Sequence, residues 1–481
     1  MLTYSKNKIV IHRSQRTTMK TITAEMIKGS KEHDEKLLKF PCNDTGNAGR
    51  FLLFCSSFVV FDCSKQEWLY WNGKVWLSNA TFEIYGLAIA VMNKYYETAV
   101  AAEKSNELDK EVKRELVRHA KISCNNEKIQ SMLKTALYLN YVKEMKAKPY
   151  LLNVSNGVID LRKKELYPHD PRYGCTHLCN VEYNPKVHSK RFKKFLHEIF
   201  SDDEDLIRYV QKMFGYAVTG EHCEEKLFFL YGSGGNGKSK LIDAIRHTVG
   251  NLSASVPVTA LTKTHSGTGQ PTPELVPLIR KRMAFCSEIK GDDVLNDSTI
   301  KQLTGNESIS VRKMRQEYIE TDIEFKLFVD TNFMPYFKHY DYAIERRVVV
   351  IPFKKNFEEE ERDQHLSEKL KSDKEYILKW LVNGAYRYYK KGLEEPEEVR
   401  LENQNFIKMS DSVGAFICDR IVQSPRDKIK SSELHKIYVQ YCYEHSYDAL
   451  GSKSFSQEMQ KRKFHCKSEK SANFFQNISI L

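Results

Sequence analysis

Residues 227–250 read LFFLYGSGGNGKSKLIDAIRHTVG. Gly232, Gly237, Lys238 and Ser239 fit the spacing G-x-x-x-x-G-K-[ST], with Ser233, Gly234, Gly235 and Asn236 between them. A phosphate cradle needs these residue types. Glycines let backbone N–H groups turn inward without a Cβ in the way, and a helix N-terminus favours anions. Lys238 has the reach for β- and γ-phosphates, and the Ser239 hydroxyl can ligate Mg²⁺. The spacing therefore predicts a site for ATP and Mg²⁺. The cradle needs a strand before it and a helix after it. LFFL reads as a buried strand, and KLIDAIRHTV as a helix with Leu241, Ile242 and Ile245 on one side and Gly250 as its stop.

Such a loop serves kinases, GTPases and motors alike, so the later chemistry-bearing residues have to narrow the choice. RKRMAFCSEI is a short apolar strand reaching Glu288, where a carboxylate can hold Mg²⁺ or orient an attacking water. EFKLFVDTNFMP is another, followed by Asp330, Thr331 and Asn332; an amide at a strand end suits the γ-phosphate or the lytic water. Arg346 and Arg347 stand just before a third buried run, VVVIPF. Guanidinium groups there suit charge stabilisation on a transferring phosphate, above all from a neighbouring subunit. Between Glu288 and Asn332 the pattern predicts a helix, a Gly305-Asn306 turn and a strand pair, ISVR and YIETDIEF. Lys313 and Arg315 lie at its basic tip, next to Arg312 at the end of ISVR, a fit for a phosphate backbone.

These residues sit in a chain of 481, long enough for several domains. Five blocks are expected: a basic flexible segment at 1–40, a mixed α/β accessory region at 41–225, an α/β nucleotide-binding core at 226–356, a helical linker at 357–400 and a terminal unit at 401–481. Met19 is a second candidate start. In the accessory region FLLFCSSFVVF and EWLYWNGKVW read as strands, and the stretch from TFEIYGLAIAVMNKYY through EKIQSMLKTALYLNYVKEM as helical. The formal charge of +12 favours an anionic partner, most often nucleic acid. Mean hydropathy is −0.54, no apolar run nears membrane-spanning length and no secretory leader is evident, so a cytoplasmic setting is expected. The eleven cysteines then read as thiols. His169, Cys175, His177 and Cys179 lack the spacing of a standard zinc site.

In this order the motifs resemble those of superfamily 3 helicases, specifically the phage- and plasmid-type replication helicases related to poxvirus primase-helicases. The likeness runs over about residues 40–481. GSGGNGKS is similar to that family's Walker A loop, MAFCSE to its Walker B strand, IKQLTGNESISVR to the stretch before its translocating hairpin, FVDTN to its sensor strand and ERRVVVIPF to its arginine-finger segment. WLYWNGKVW, LLNVSNGVIDLRKKELYPHDP and MFGYAVTG look like the region preceding the motor. The resemblance implies an AAA+-type P-loop core, a hexameric ring on single-stranded or forked DNA and 3′→5′ movement. It implies Glu288 as the metal-linked acid, Asn332 as γ-phosphate sensor, Arg346 or Arg347 as a finger acting in trans, and Arg312, Lys313 and Arg315 lining the pore. Two departures stand out. FVVFDC offers Asp62 alone where a primase needs clustered acids, so a separate primase or polymerase is expected. Cys286-Ser287-Glu288 holds one acid where some branches have two.

At the C-terminal end SSELHKIYVQYCYEH and SKSFSQEMQKRKF read as two helices and HCKSEKSANFFQNISIL as a two-stranded wing. That order suggests a winged-helix-like unit whose Lys461, Arg462 and Lys463 face DNA. It keeps a second function open: a sequence-specific initiator that binds and melts an origin through this unit.

Overall fold

The computed structural model describes residues 27, 30–78, 80–103, 109–262, 273–289, 293–305, 308–312, 318–333, 336–337, 341–445, 447, 449–469 and 472–481. They form two compact units, one of residues up to Ile159 with Leu166–Leu178, the other of Asp160–Glu165 and Cys179 onward.

The first unit is mixed α/β. Helices α1 (Lys31–Lys39), α2 (Asp44–Cys55), α3 (Thr81–Glu103), α4 (Lys110–Ser123) and α5 (Asn126–Leu139) accompany strands β1 (Val59–Asp62), β2 (Glu67–Trp71), β3 (Trp76–Leu77) and β4 (Tyr141–Val142), which form a sheet in the order β3-β2-β1-β4. A three-stranded sheet follows, from β5 (Leu151–Val154), β6 (Gly157–Asp160) and β7 (Glu165–Tyr167). FLLFCSSFVVF, expected as a strand, divides: Phe51–Cys55 completes α2, and only Val59–Asp62 is extended. Asn43 starts that helix by accepting from the Gly46 N–H. The buried Arg50 then ties it to the preceding segment by donating to the carbonyls of Leu37, Phe40 and Pro41. A continuous apolar run has no period to separate buried helix from buried strand.

The second unit opens with α6 (Lys190–Ile199) and α7 (Glu204–Val218). Then come β8 (Leu227–Tyr231), α8 (Lys238–Val249), β9 (Ser253–Val256), α9 (Thr259–Thr262), β10 (Met283–Ile289), β11 (Val294–Leu295), α10 (Asp297–Thr304), β12 (Ile309–Arg312), β13 (Tyr318–Thr321), β14 (Lys326–Thr331), β15 (Tyr336–Phe337), α11 (Tyr342–Glu345) and β16 (Val348–Pro352). Five strands make one parallel sheet in the order β16-β8-β14-β10-β9. Both faces of its central strands are covered, which is why they read as unbroken apolar runs. On one face Phe228, Phe328 and Phe285 share a register level and stack with centroids 5.2 Å apart, and Phe214 of α7 stacks on Phe328 at 5.1 Å. On the other face Leu227, Phe229, Leu327 and Val329 pack with Phe406.

Beyond the sheet run α12 (Leu366–Ser372), α13 (Lys374–Lys391) and α14 (Glu397–Ser410). α13 lies on α7 so closely that a Cβ on Gly215 would stand 2.1 Å from the Ala385 nitrogen. Glycine is what lets the two backbones touch. The last elements are α15 (Ser412–Arg420), β17 (Ile421–Lys430), α16 (Ser431–Glu444), α17 (Ser452–Lys461), β18 (Cys466–Glu469) and β19 (Ala472–Ile480). They enclose a separate core that includes Phe416, Leu434, Tyr438, Phe455 and Phe475. The two expected helices are there, but the sheet has three strands, β17-β19-β18, rather than two. IVQSPRDKIK carries a proline and four charges, so it gives no strand signal of its own; pairing with β19 makes it one. Among the described residues no helix is long and apolar enough to cross a membrane.

Candidate functional site

β8 ends at Tyr231 and α8 begins at Lys238, so residues 232–237 form the loop between them. Gly234, Gly235 and Gly237 all have positive φ, at 96°, 60° and 85°. Gly232 is confined differently: a Cβ there would meet the Asn236 amide at 2.3 Å and the Phe353 carbonyl at 2.4 Å. The loop is braced by the segment that follows the neighbouring strand β16. Asn236, buried, donates to the Phe353 carbonyl, and the Phe357 N–H donates to the Gly235 carbonyl. Ser233 is exposed on the loop.

Lys238 is only 3% exposed. Its Nζ donates to the Gly232 carbonyl at 2.6 Å and to Asn332 Oδ1 at 3.0 Å, and it lies 3.9 Å from Asp330 Oδ1. Burial pulls its pKa below the usual lysine value, with Asp330 opposing. Ser239 Oγ donates to Asp330 Oδ2 at 3.2 Å. Burial pushes the Asp330 carboxyl above the usual range, while Lys238 and Ser239 pull it back. The loop, its lysine and the ends of β10 and β14 line a cavity of about 840 Å³. Its remaining wall includes Phe195, Asp243, Arg246, Phe357, Arg362 and Leu366. Ser239 and Asp330 are hard oxygen donors of the kind Mg²⁺ takes, so the residues present fit that ion.

Glu288 lies in β10 where the register against β14 shifts by one residue, between Ser287 and Ile289. Both of those neighbours line the cavity, while the side chain of Glu288 lies outside the described residues. A bulge of this sort re-aims a strand end. Lys313 and Arg315 also lie outside the described residues, as does the side chain of Arg312. The strands that would carry them, β12 and β13, pair antiparallel from Ile309↔Thr321 to Arg312↔Tyr318.

Arg346 and Arg347 are not brought to the cavity. They precede β16 at its amino end, where Val348 pairs with Leu227, whereas the loop follows the carboxyl end, where Pro352 pairs with Tyr231. Four residues of strand separate the two ends by about 13 Å. Both guanidinium groups share Glu225, at 2.5 and 2.9 Å. Arg347 is buried and also donates to Thr304 Oγ1 and the Ala343 carbonyl, while the Arg346 side chain is 45% exposed. In the terminal unit Lys461 pairs with Glu458, Arg462 with Asp411, and Lys463 is exposed.

Among the cavity residues that the motifs do not mark are Asp330 and Arg362. Asp330 stood in view within FVDTN, but its partner Ser239 is 91 positions away. Arg362 lies in the acidic run EEEERD, which gives no signal; its guanidinium approaches the loop at Gly235.

Gly237→Ala tests the tightness of the cradle. An alanine Cβ there would stand 2.5 Å from Ile199 Cγ2, and the left-handed backbone alone costs roughly 1–2 kcal/mol. Thermal unfolding should show a lower midpoint.

Comparison with known proteins gives three family matches: "D5 N terminal like" over residues 50–201, "Family of unknown function (DUF5906)" over 230–347, and "Poxvirus D5 protein-like" over 408–477. "Putative helicase L207/L206" of Acanthamoeba polyphaga mimivirus is 28% identical over 310 residues, 60% of this chain and 32% of that protein. "Putative helicase 184R" of Invertebrate iridescent virus 6 is 30% identical over 239 residues, 47% and 24% of the two chains. "Primase D5" of Fowlpox virus is 24% identical over 236 residues, 46% and 29%. The chain thus spans a third or less of the length of these relatives. Among solved structures, the apo C-terminal region of NrS-1 (305-718) aligns with a TM-score of 0.47 and 12% identity, over 88% of this chain and 96% of that one. With D5-type matches on both sides of its parallel sheet and proteins named as putative helicases among its relatives, the chain is similar to D5-type proteins of large DNA viruses.

Proposed function

We propose that the chain is an ATP-dependent DNA helicase of a virus, phage or mobile element, working 3′→5′ as a hexameric ring in the cytoplasm. The observation that carries this reading is the meeting of Lys238, Ser239, Asp330 and Asn332 at the carboxyl end of a parallel sheet, with Arg346 exposed at the opposite end. In an open parallel sheet ligands bind beyond the carboxyl ends of the strands. The strand order, the positive-φ glycines and the buried lysine support an AAA+-type P-loop core. ATP would lie along residues 232–239, with backbone N–H groups of the loop and Lys238 on its phosphates. Bound Mg²⁺ supplies charge neutralisation on the phosphates; Ser239 and Glu288 would hold it. Asn332, already bonded to Lys238, is placed to sense the γ-phosphate. Glu288 orients the attacking water.

Arg346 and Arg347 cannot serve the cavity of their own chain, about 13 Å away along the strands. On this reading a neighbouring subunit would present one of them, as an oligomer allows. Arg346 is the better finger, because Arg347 is committed to Thr304, Ala343 and Glu225. The β12–β13 hairpin would hold Arg312, Lys313 and Arg315 to single-stranded DNA in the pore. A primase or polymerase would be a separate chain, and residues 1–40, 41–225, 226–356, 357–400 and 401–481 would act as arm, accessory region, motor, lid and terminal domain.

The test is hydrolysis with and without single-stranded DNA, together with strand separation on a forked duplex. DNA should stimulate turnover, and neutralising Lys313 and Arg315 together should abolish separation while leaving basal hydrolysis. Turnover indifferent to DNA, or separation at normal speed by that double variant, refutes the motor.

One observation favours a second reading. The terminal elements have a core of their own, three helices beside a small sheet, and exposed lysines at 453, 461, 463 and 467. Read as a winged helix, this part would bind a specific origin, and the chain would melt DNA for another helicase to enter. A footprint that persists after removal of residues 401–481 excludes it.

A further inference from the structure

β14 brings a carboxylate to the cavity that none of the motifs assigns a role. Asp330 stands opposite Ser287 and in register with Leu230, at the carboxyl end of the strand between β8 and β10. One of its oxygens accepts from Ser239 Oγ at 3.2 Å and the other lies 3.9 Å from Lys238 Nζ. Those are the hydroxyl and the ammonium that a nucleotide's cation and phosphates require. Asp330 is therefore a tethered anion resting on the phosphate-binding groups. It is neither free in solvent nor locked in a full ion pair: its side chain is 16% exposed and its distance to Lys238 is long. Asp243, one turn along α8 from Ser239, lines the same cavity and disfavours a second negative charge there.

We propose that Asp330 is the residue that makes nucleotide binding depend on a divalent cation. The proposal rests on reading residues 232–239 as a triphosphate site. Without a cation, the carboxylate holds Ser239 and repels incoming phosphate within a partly buried, weakly screened space. With a cation, the same carboxylate and the Ser239 hydroxyl supply hard oxygens of the kind Mg²⁺ takes. Asp330 then changes from competitor of the phosphate to its partner. It offsets the shortage on β10, where Cys286-Ser287-Glu288 holds a single acid.

Asp330→Asn removes the charge and keeps the shape and an oxygen that can accept from Ser239. ADP is the probe, titrated calorimetrically against the full chain in EDTA and in Mg²⁺. In EDTA the variant should bind ADP roughly tenfold more tightly than wild type, and the gain from Mg²⁺ should shrink by roughly the same factor. An unchanged affinity in EDTA with a wild-type gain from Mg²⁺ overturns the proposal. So does an equal loss in both buffers, which would mean that Asp330 merely braces Lys238. A wild-type chain that binds ADP in neither buffer overturns the triphosphate reading itself, and the role of Asp330 with it.

Discussion

Lys238→Ala should lower the rate of nucleotide hydrolysis on the order of 10³-fold and abolish strand separation, while the nucleotide-free chain stays folded. The ammonium is buried inside the cradle, bonded to Gly232 and Asn332. Take it away and the Asp330 carboxylate loses the ammonium 3.9 Å from it, so positive charge is lost just where phosphate must sit. The loss falls on binding and on the transition state together, because charge accumulates on the transferring group. Stability should change little. The hydrogen bonds lost are worth about 1 kcal/mol net, and burial already works against the charged lysine. Unfolding midpoints without nucleotide should therefore nearly coincide, while ADP should stabilise only the wild type. Lys238→Arg should not rescue the activity, since a planar fork is not a substitute for a compact ammonium in a 3%-exposed slot. Hydrolysis by Lys238→Ala within a few-fold of wild type would remove the chemical basis of the proposed motor.

The contrast between what sequence reveals and what it hides follows from distance along the chain. The loop was legible because every requirement is local: LFFL, four glycines, a lysine and a helix lie within 24 residues. β10, β14 and β16 were legible because buried parallel strands are apolar throughout. Partners were not. Asp330 meets Ser239 across 91 positions, and Arg347 meets Glu225 across 122. α7 and α13 touch at Gly215 and Gly384, but neither glycine marks its helix as half of a pair. β17 needed β19 to become a strand, and FLLFC belonged to a helix because of Asn43 and Arg50, outside the apolar run itself. Charges could be read as candidate fingers; which of two adjacent arginines is spare depends on what a distant glutamate and threonine already hold.

That last distinction gives the sharpest expectation for Arg346 and Arg347. Arg347→Ala should destabilise the fold by about 1–3 kcal/mol, because it empties a buried site and leaves the Ala343 carbonyl without its donor, while Glu225 keeps Arg346. Arg346→Ala should cost stability no more than about 1 kcal/mol, since its side chain is 45% exposed and Glu225 keeps Arg347. Its activity should nevertheless fall by roughly 10³-fold or more if it is the finger. Stability and activity thus separate in opposite directions at neighbouring positions, which unfolding midpoints and turnover measured on the same samples will show. Mixing supplies the decisive arm. A Lys238→Ala subunit has a dead cradle and an intact Arg346; an Arg346→Ala subunit has the reverse. In a mixed ring the first can present its arginine to the second's cradle, so two inactive proteins should regain hydrolysis together. A mixture as inactive as its parents, with mixed oligomers demonstrated, would mean that Arg346 does not act across a subunit boundary.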